Sequence, residues 1–325
     1  MRRCRYVVSE DAPLSYDIMN NRGVVYIAIG EQYLREATVS ATSVAEYNQE
    51  VDICIITSGS AADEVRSDVF DRVIAIDDEE LRRDIRDKVY NIRQAPYEKN
   101  LYLDTDTIVL GDISPVFESL GRFDITAAHA PYTTVTVDGV PDAFRELNTG
   151  VVGFVSNERT STFFDDWTRI YDDQIESGRP GERVPIEGKS GLEDIGFGRL
   201  HDQASFREAL FEGDVRFTAL PREYNFRHSG RAHGEVKILH TSNKRRRERL
   251  EGLINDSVYG RTYVRNKERI YYDDGRTVRT EPRIERLMSR FGSAERAVVR
   301  SEIVTRVLKA TNLFDVASRL YRRVR

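Results

Sequence analysis

Residues 101–107 read Leu-Tyr-Leu-Asp-Thr-Asp-Thr and hold the only Asp-x-Asp in the chain. Two carboxylates at this spacing, just past an apolar strand, point into the crevice beyond the strand's carboxyl end, where open α/β sheets take up ligands. Paired carboxylates in that place suit a hard divalent cation, Mg²⁺ or Mn²⁺, bridging phosphate oxygens. Asp is also common in ordinary turns after strands. Here, however, the apolar run resumes as Ile108-Val109-Leu110, and two acids inside such a run are costly unless something pairs them. Asp104 and Asp106 are therefore the first candidates for metal ligands. Three further groups follow in chain order. Asn148-Thr149-Gly150 offers amide and hydroxyl groups to sugar hydroxyls, with a glycine that permits close approach; it would equally serve as a turn before a strand. Asp202-Gln203 opens a helical stretch, where Asp202 also suits an N-cap. His240 ends an apolar run four residues before Lys244, a place that a hydrogen-bonded core histidine also fills.

The elements that must position these groups alternate strand and helix signals over the first 110 residues. Val24 to Ile29 is a β-branched run ended by Gly30, and Leu34, Ala37, Ala41 and Val44 then recur at helical spacing up to Tyr47. Val51 to Thr57 and Asp71 to Asp77 read as the next two strands, and an Arg-rich helical stretch reaches about Gln94. Leu101-Tyr102-Leu103 leads into a fourth strand, expected to continue past the aspartates through Leu110. This alternation implies a mostly parallel sheet covered on both faces. Ile125 to Ala128 and Val151 to Val155 read as short strands. Phe163, Phe164, Trp167, Ile170, Tyr171 and Gln174 share helical spacing as a core-facing stripe. Residues 178–198, with six glycines and two prolines, read as a loop able to cover a ligand. A helix from Asp202 to Phe211, strands at Val215 to Ala219 and Val236 to His240, and an amphipathic helix from Ser293 to Leu308 complete the pattern.

Charge divides the chain. Residues 228–325 carry 24 Lys and Arg against 12 Asp and Glu, a net +12, which leaves −17 on residues 1–227 and −5 overall. A basic segment on an acidic body suits contact with an anionic partner, such as a membrane surface, or docking on the body itself. It does not suit DNA binding, because the body is strongly negative and no aromatic-interleaved basic motif accompanies Lys244 to Arg247. Two cysteines, Cys4 and Cys54, make neither a disulfide framework nor a zinc site. The longest early apolar run has six residues, far below the roughly 20 needed to span a bilayer. The opening Met-Arg-Arg-Cys-Arg-Tyr-Val-Val is basic without a signal peptide's apolar stretch. The expected location is cytoplasmic, with peripheral contact at the cytoplasmic face of the membrane.

The stretch YLDTDTIVLGDISPVFE resembles the Asp-x-Asp region of GT-A fold glycosyltransferases, particularly glycosyltransferase family 8, which includes glycogenin and bacterial lipopolysaccharide galactosyltransferases. Other marks follow in the family's order over residues 24–244. The resemblance implies a GT-A, Rossmann-like α/β domain over 24–245. It is flanked by an N-terminal extension, 1–23, and a basic, at least partly helical C-terminal extension, 246–325. It implies metal ligation by Asp104, Asp106 and His240. Ala28, Tyr33, Lys88, Thr105, Asn148, Thr149, Gly150 and Lys244 would contact the donor nucleotide and sugar, and Asp202 and Gln203 would lie near the transferring carbon. The implied activity is metal-dependent, retaining transfer of a sugar from a nucleoside diphosphate sugar, usually a uridine diphosphate sugar, to a glycan or lipid-linked hydroxyl, with Mn²⁺ or Mg²⁺ as cofactor.

The chain departs from the family at two places. Ala204-Ser205-Phe206 follows Asp202-Gln203 where the family continues Asp, then Leu-Asn. His240-Thr-Ser-Asn-Lys244 replaces the family's His-x-x-Gly-x-x-Lys. Asp104 and Asp106 also fit the nucleophile motif of haloacid dehalogenase-like phosphatases, with Asp104 forming an aspartyl-phosphate. That fold begins with this strand, whereas three strand-helix units precede it here, and Lys189 with Glu193-Asp194 is too compressed a downstream set. A non-catalytic sugar-nucleotide-binding relative is the third alternative.

Overall fold

The structure, a computed structural model, describes residues 5–8 and 21–280 apart from 67, 132, 134–135, 178–201, 228–229, 242–243, 257–259 and 268. Eight strands form the main sheet in the order β1 (Arg5–Val8), β4 (Arg72–Ile76), β3 (Asp52–Ser58), β2 (Arg22–Ile27), β5 (Lys99–Leu103), β8 (Leu147–Val155), β7 (Ile125–His129) and β9 (Phe217–Leu220). Every neighbouring pair is parallel except those of β8 with β5 and β7. β1 extends the sheet where the sequence predicts an irregular opening. Its four residues are too few for a periodic signal.

Because the sheet is covered on both sides, its strands read as unbroken apolar runs whose alternate residues serve two different cores. Val24, Tyr26 and Ala28 face the core closed by α1 (Glu31–Tyr47), which contributes Leu34, Ala37, Ala41 and Val44, and by α3 (Ser114–Ser119). Val25 and Ile27 face the opposite core, closed by α2 (Arg86–Asn91), α4 (Glu158–Ser177) and α5 (Asp202–Glu212). The aromatic stripe of α4 is core, as its spacing predicts. Phe163 and Trp167 meet Phe206 of α5 edge-on, with ring centroids 5.2 and 4.9 Å apart. The Trp167 ring N–H donates to Ser205 Oγ at 3.0 Å and to the Asp202 carbonyl at 3.3 Å, which pins the helix start that carries Asp202 and Gln203. All residues from Asp202 to Leu210 are buried, so this helix shows almost no amphipathic signal.

Two sequence expectations change. Thr107 to Leu110 does not extend β5. Thr107 donates both its N–H (3.2 Å) and its hydroxyl (2.8 Å) to the Asp104 carbonyl, and this turn redirects the chain out of the main sheet. β6 (Thr107–Val109) then pairs antiparallel with β11 (Ile238–His240) as a separate two-stranded ribbon, with His240 opposite Thr107. The expected boundary after residue 245 falls inside α6 (Lys244–Glu251). The described part of the expected helical extension holds more strand than helix. β12 (Arg261–Val264), β13 (Arg269–Tyr272) and β14 (Thr277–Arg279) join β10 (Gly230–Ala232) in an antiparallel sheet. Tyr263, Ile270 and Tyr272 pack with Leu250, Ile254, Ile108 and Leu110 in a third core. Their shortness and the arginine at one end of each (Arg261, Arg269 and Arg279), of which Arg261 is buried, conceal these strands. The glycine-rich segment 178–198 and the Ser293 to Leu308 helix lie outside the described residues. No helix among the described residues is long and apolar enough to cross a membrane.

Trp167→Phe keeps an aromatic ring but removes the donor that holds the start of α5. The expected loss is about 1–3 kcal/mol of unfolding free energy, read from urea denaturation.

Candidate active site

The Asp-x-Asp turn is held from three directions. The Asp104 N–H donates to the Gly150 carbonyl at 2.8 Å, and the Thr241 N–H donates to the Asp106 carbonyl at 3.1 Å. On the α1 side, Tyr26 Oη, Ser40 Oγ and Thr107 Oγ1 stand in a row at 2.8 Å spacings. The Thr107 proton goes to the Asp104 carbonyl, so Ser40 donates to Thr107 and Tyr26 to Ser40. The Ser43 hydroxyl accepts the Val109 N–H at 2.9 Å. These two serines occupy positions on the buried face of α1 that an apolar pattern would have left to alanine.

This scaffold brings Asp104, Asp106 and His240 together, with ligand atoms within 4.8 Å of one another. His240 Nε2 lies 3.1 Å from Asp106 Oδ1 and 3.6 Å from Asp104 Oδ2. Two carboxylates and one imidazole nitrogen form a donor set that could bind a divalent cation. The cradle is tight. A Cβ on Gly150 would stand 2.2 Å from His240 Cε1 and 2.6 Å from Asp104 Oδ2, so only glycine lets both side chains close over β8. Burial alone would raise the Asp106 pKa, but the His240 ring and the Arg227 and Arg247 guanidinium groups lower it to about 2. Arg247 is buried, and the Arg227 Nε is a buried donor without a hydrogen-bond partner.

Lys88, from α2, reaches the other side of Asp104. Its ammonium group lies 2.7 Å from Asp202 Oδ2, 3.0 Å from Thr149 Oγ1 and 3.5 Å from Asp104 Oδ1, above the Tyr102 ring at 5.2 Å. Burial would lower its pKa, but the charges of Asp104 and Asp202 outweigh that and raise it, which keeps the lysine protonated. The Thr149 hydroxyl donates to Asp202 Oδ2 at 2.8 Å, and the Tyr102 hydroxyl donates to Asp104 Oδ1 at 2.8 Å. Asn148 donates to Gln203, and Gln203 donates to Glu146. Asn225 donates to Asn148 Oδ1 at 2.8 Å, and its own oxygen faces His240 Nδ1 at 2.9 Å.

A cleft of about 470 Å³ opens beside these groups at the carboxyl ends of β2 and β5. Tyr33, Lys88, Asp104, Thr105 and Asp106 line it, with Ile27, Ile29 and Ile85 as an apolar wall. Asn148, Thr149, Gly150, Asp202, Gln203 and His240 stand behind Asp104 and Lys88 in a buried layer. Ala28 does not reach the cleft. It is buried in the α1 core, its N–H donates to the Ile56 carbonyl at 2.9 Å, and its carbonyl accepts the Thr57 hydroxyl at 2.7 Å. The strand's period of two turns Ile27 and Ile29 to the cleft instead. The Lys244 side chain lies outside the described residues.

Several residues carried no signal strong enough to be singled out. Arg83 adopts the left-handed region (φ 58°) at the cleft rim and pairs with Asp78 at 3.1 Å. Asp87 accepts the N–H groups of Arg82 (2.8 Å) and Asp84 (3.3 Å) and so shapes that rim. Glu146, Asn225 and Arg227 stand alone in sequence. Arg247 lies in the basic run from Lys244, which gives its charge but not its place.

No known sequence family matches this chain, and no curated protein does. Among solved structures, it is similar to the glycosyltransferase GlyE of Streptococcus pneumoniae TIGR4, with 19% identity and a TM-score of 0.46 over 69% of this chain and 55% of that one. It thus spans about half of the GlyE chain. It is also similar to an active-site mutant of LgtC (16% identity, TM-score 0.44, 68% of this chain and 87% of that one). A third likeness is to mouse xyloside xylosyltransferase 1 (14% identity, TM-score 0.42, 68% and 97%). All three are glycosyltransferases.

Gly150→Ala should leave the fold intact and drive His240 and Asp104 apart. Calorimetric titration with Mn²⁺ is expected to show affinity reduced by at least ten-fold, with an unchanged far-ultraviolet circular dichroism spectrum.

Proposed function

We propose that this protein is a metal-dependent glycosyltransferase that moves a sugar from a nucleoside diphosphate sugar to a hydroxyl group of a glycan or lipid-linked acceptor. The observation that carries this reading is the convergence of Asp104, Asp106 and His240 at the mouth of a cleft beyond the ends of parallel strands. Asp104, Asp106 and His240 would hold the cation, and the imidazole nitrogen beside two carboxylates favours Mn²⁺ over Mg²⁺. When bound, the cation would neutralise charge on the departing nucleoside diphosphate.

The protein's own groups supply the rest. Tyr33 and the isoleucine wall offer a face to the base, for which uridine is the expected choice. Arg227 and Arg247, with their charge directed at the Asp106 side, would share the diphosphate with Lys244. Lys88, Thr149 and Asp202 form one ion-paired group beside Asp104 that would orient the donor sugar. Gln203, held by Asn148 and Glu146, supports that group from behind. The acceptor hydroxyl attacks the sugar carbon as its bond to the diphosphate oxygen breaks, and the hydroxyl proton leaves with the diphosphate. We assign retention of configuration, in keeping with the family 8 resemblance. The cytoplasm, with anionic lipid engaged by the basic C-terminal segment, is the proposed setting, and recovery in vesicle pellets should rise with anionic lipid content.

The phosphatase alternative needs a free Asp104 nucleophile. Asp104 Oδ1 instead accepts the Tyr102 hydroxyl and faces Lys88, and Oδ2 faces His240.

A panel of nucleoside diphosphate sugars, assayed with Mn²⁺ and with chelator, tests the reading. The expected result is Mn²⁺-dependent binding of one donor with slow donor hydrolysis, reduced roughly 10²- to 10³-fold in Asp106→Asn. Cleavage of p-nitrophenyl phosphate without sugar-nucleotide binding would replace this reading with the phosphatase one. Arg247→Ala should weaken donor binding several-fold while Mn²⁺ binding persists.

A further inference from the structure

We propose that Glu36 reads the ribose ring of the donor nucleotide by accepting its 2′- and 3′-hydroxyl groups, and thereby confines the donor to ribonucleoside diphosphate sugars. The proposal rests on the nucleoside diphosphate reading given above. Glu36 lines the cleft from α1, about one helical turn beyond Tyr33 and beside Thr105, the residue between the two aspartates. Each oxygen of its half-buried carboxylate accepts from one neutral neighbour. Gln32 Nε2 donates to Oε1 at 3.2 Å, and the Thr105 hydroxyl donates to Oε2 at 3.4 Å. Arg35, the adjacent cation in the chain, pairs with Glu31 instead. Among the described residues Glu36 has no ion-pair partner.

An acid without a cation, in a cleft that takes up a diphosphate, repels its ligand unless it meets donors there. The metal ion is not that counterpart, because the close group of ligand atoms comprises Asp104, Asp106 and His240 and leaves Glu36 outside. A carboxylate only accepts hydrogen bonds, so its counterpart on the nucleotide carries O–H or N–H groups. Position decides between them. Tyr33 and the isoleucine wall face the base, and the two aspartates face the cation and the diphosphate. An α-helix rises about 1.5 Å per residue, so Glu36 stands about 4.5 Å along α1 from Tyr33, at the place where Thr105 touches the helix. In a nucleoside diphosphate the group between base and diphosphate is the ribose. Its cis 2′- and 3′-hydroxyls offer two donors to the two oxygens of one carboxylate. An acidic side chain on a ribose hydroxyl is a recurrent device where α/β sheets bind nucleotides. Gln32 and Thr105 hold the carboxylate in place beforehand, which lowers the ordering cost of binding. A 2′-deoxyribose would bring the same negative charge without the donor that compensates it. Thymidine diphosphate sugars, which carry that ring, are therefore rejected. Glu36 is a specificity-determining residue and takes no part in bond making.

The test measures binding of UDP, CDP, ADP and GDP, each beside its 2′-deoxy form, to the full-length protein with Mn²⁺ by calorimetry. Wild type should bind its preferred ribonucleotide about ten- to one-hundred-fold more tightly than the 2′-deoxy form. In Glu36→Ala, a substitution that suits a helix, that ratio should fall to near one. The 2′-deoxy form should bind the variant at least as tightly as it binds wild type, because a like charge has been removed. Equal wild-type affinity for the two forms would overturn the proposal. So would discrimination that survives in Glu36→Ala, or a variant that loses affinity for both forms alike. If circular dichroism shows Glu36→Ala unfolded, Glu36→Gln takes its place, with the ratio expected to fall several-fold. Wild-type protein that binds none of these nucleotides would instead remove the nucleoside diphosphate reading, and this inference with it.

Discussion

The bend at Asp104 is the constraint on which the rest of this molecule depends. Thr107 returns both of its donors to the Asp104 carbonyl, and the chain leaves the eight-stranded sheet at the point where the two aspartates emerge. The backbone groups of β5 are paired with β2 and β8, and those of β6 with β11 on one edge and, for the Thr107 and Val109 N–H groups, with the Asp104 carbonyl and the Ser43 hydroxyl. Between the two sheets the carboxylates face neither core. The junction is stable only because Tyr26, Ser40 and Ser43 supply hydroxyl groups from within the α1 core and because Gly150 carries no side chain to obstruct it.

The electrostatics around this junction are arranged by side. Lys88 serves the flank that holds Asp202, and Arg227 and Arg247 serve the flank that holds His240. Asp104 thus faces Lys88 and Asp106 lies in the field of Arg227 and Arg247, which lets two carboxylates share a small space.

Much of this arrangement was legible in the residues. The parallel strands announce themselves as apolar runs, and α1 and α4 by their helical spacing. Asp104 and Asp106 stand out because acids interrupt an apolar run. His240 was visible only by its order after them. The change of sheet at Thr107 was not legible, since Ile108-Val109-Leu110 looks the same whichever sheet it enters. The strands from Arg261 to Arg279 were hidden by their shortness and by an arginine at one end of each, even where, as at Arg261, that arginine is buried. Glu146 and Asn225 were invisible for a different reason. A row of hydrogen-bonded side chains has no spacing rule, because its members belong to different parts of the chain and come together only where those parts meet. Ala28 shows the converse error: the strand was correctly placed, but its pleat turns the alanine inward.

The β6–β11 ribbon places Thr107 opposite His240, so the site joins segments that lie far apart in the sequence. During synthesis the first strands and α1 emerge and can associate well before His240 exists. The early sheet can therefore form with its aspartates but without the imidazole that stands beside them. Closure of the ribbon is the long-range contact that completes both the third core and the site. The Asp104–Asp106–His240 cluster thus arrives together with structural completeness, and a chain that ended before β11 would present two carboxylates without their imidazole.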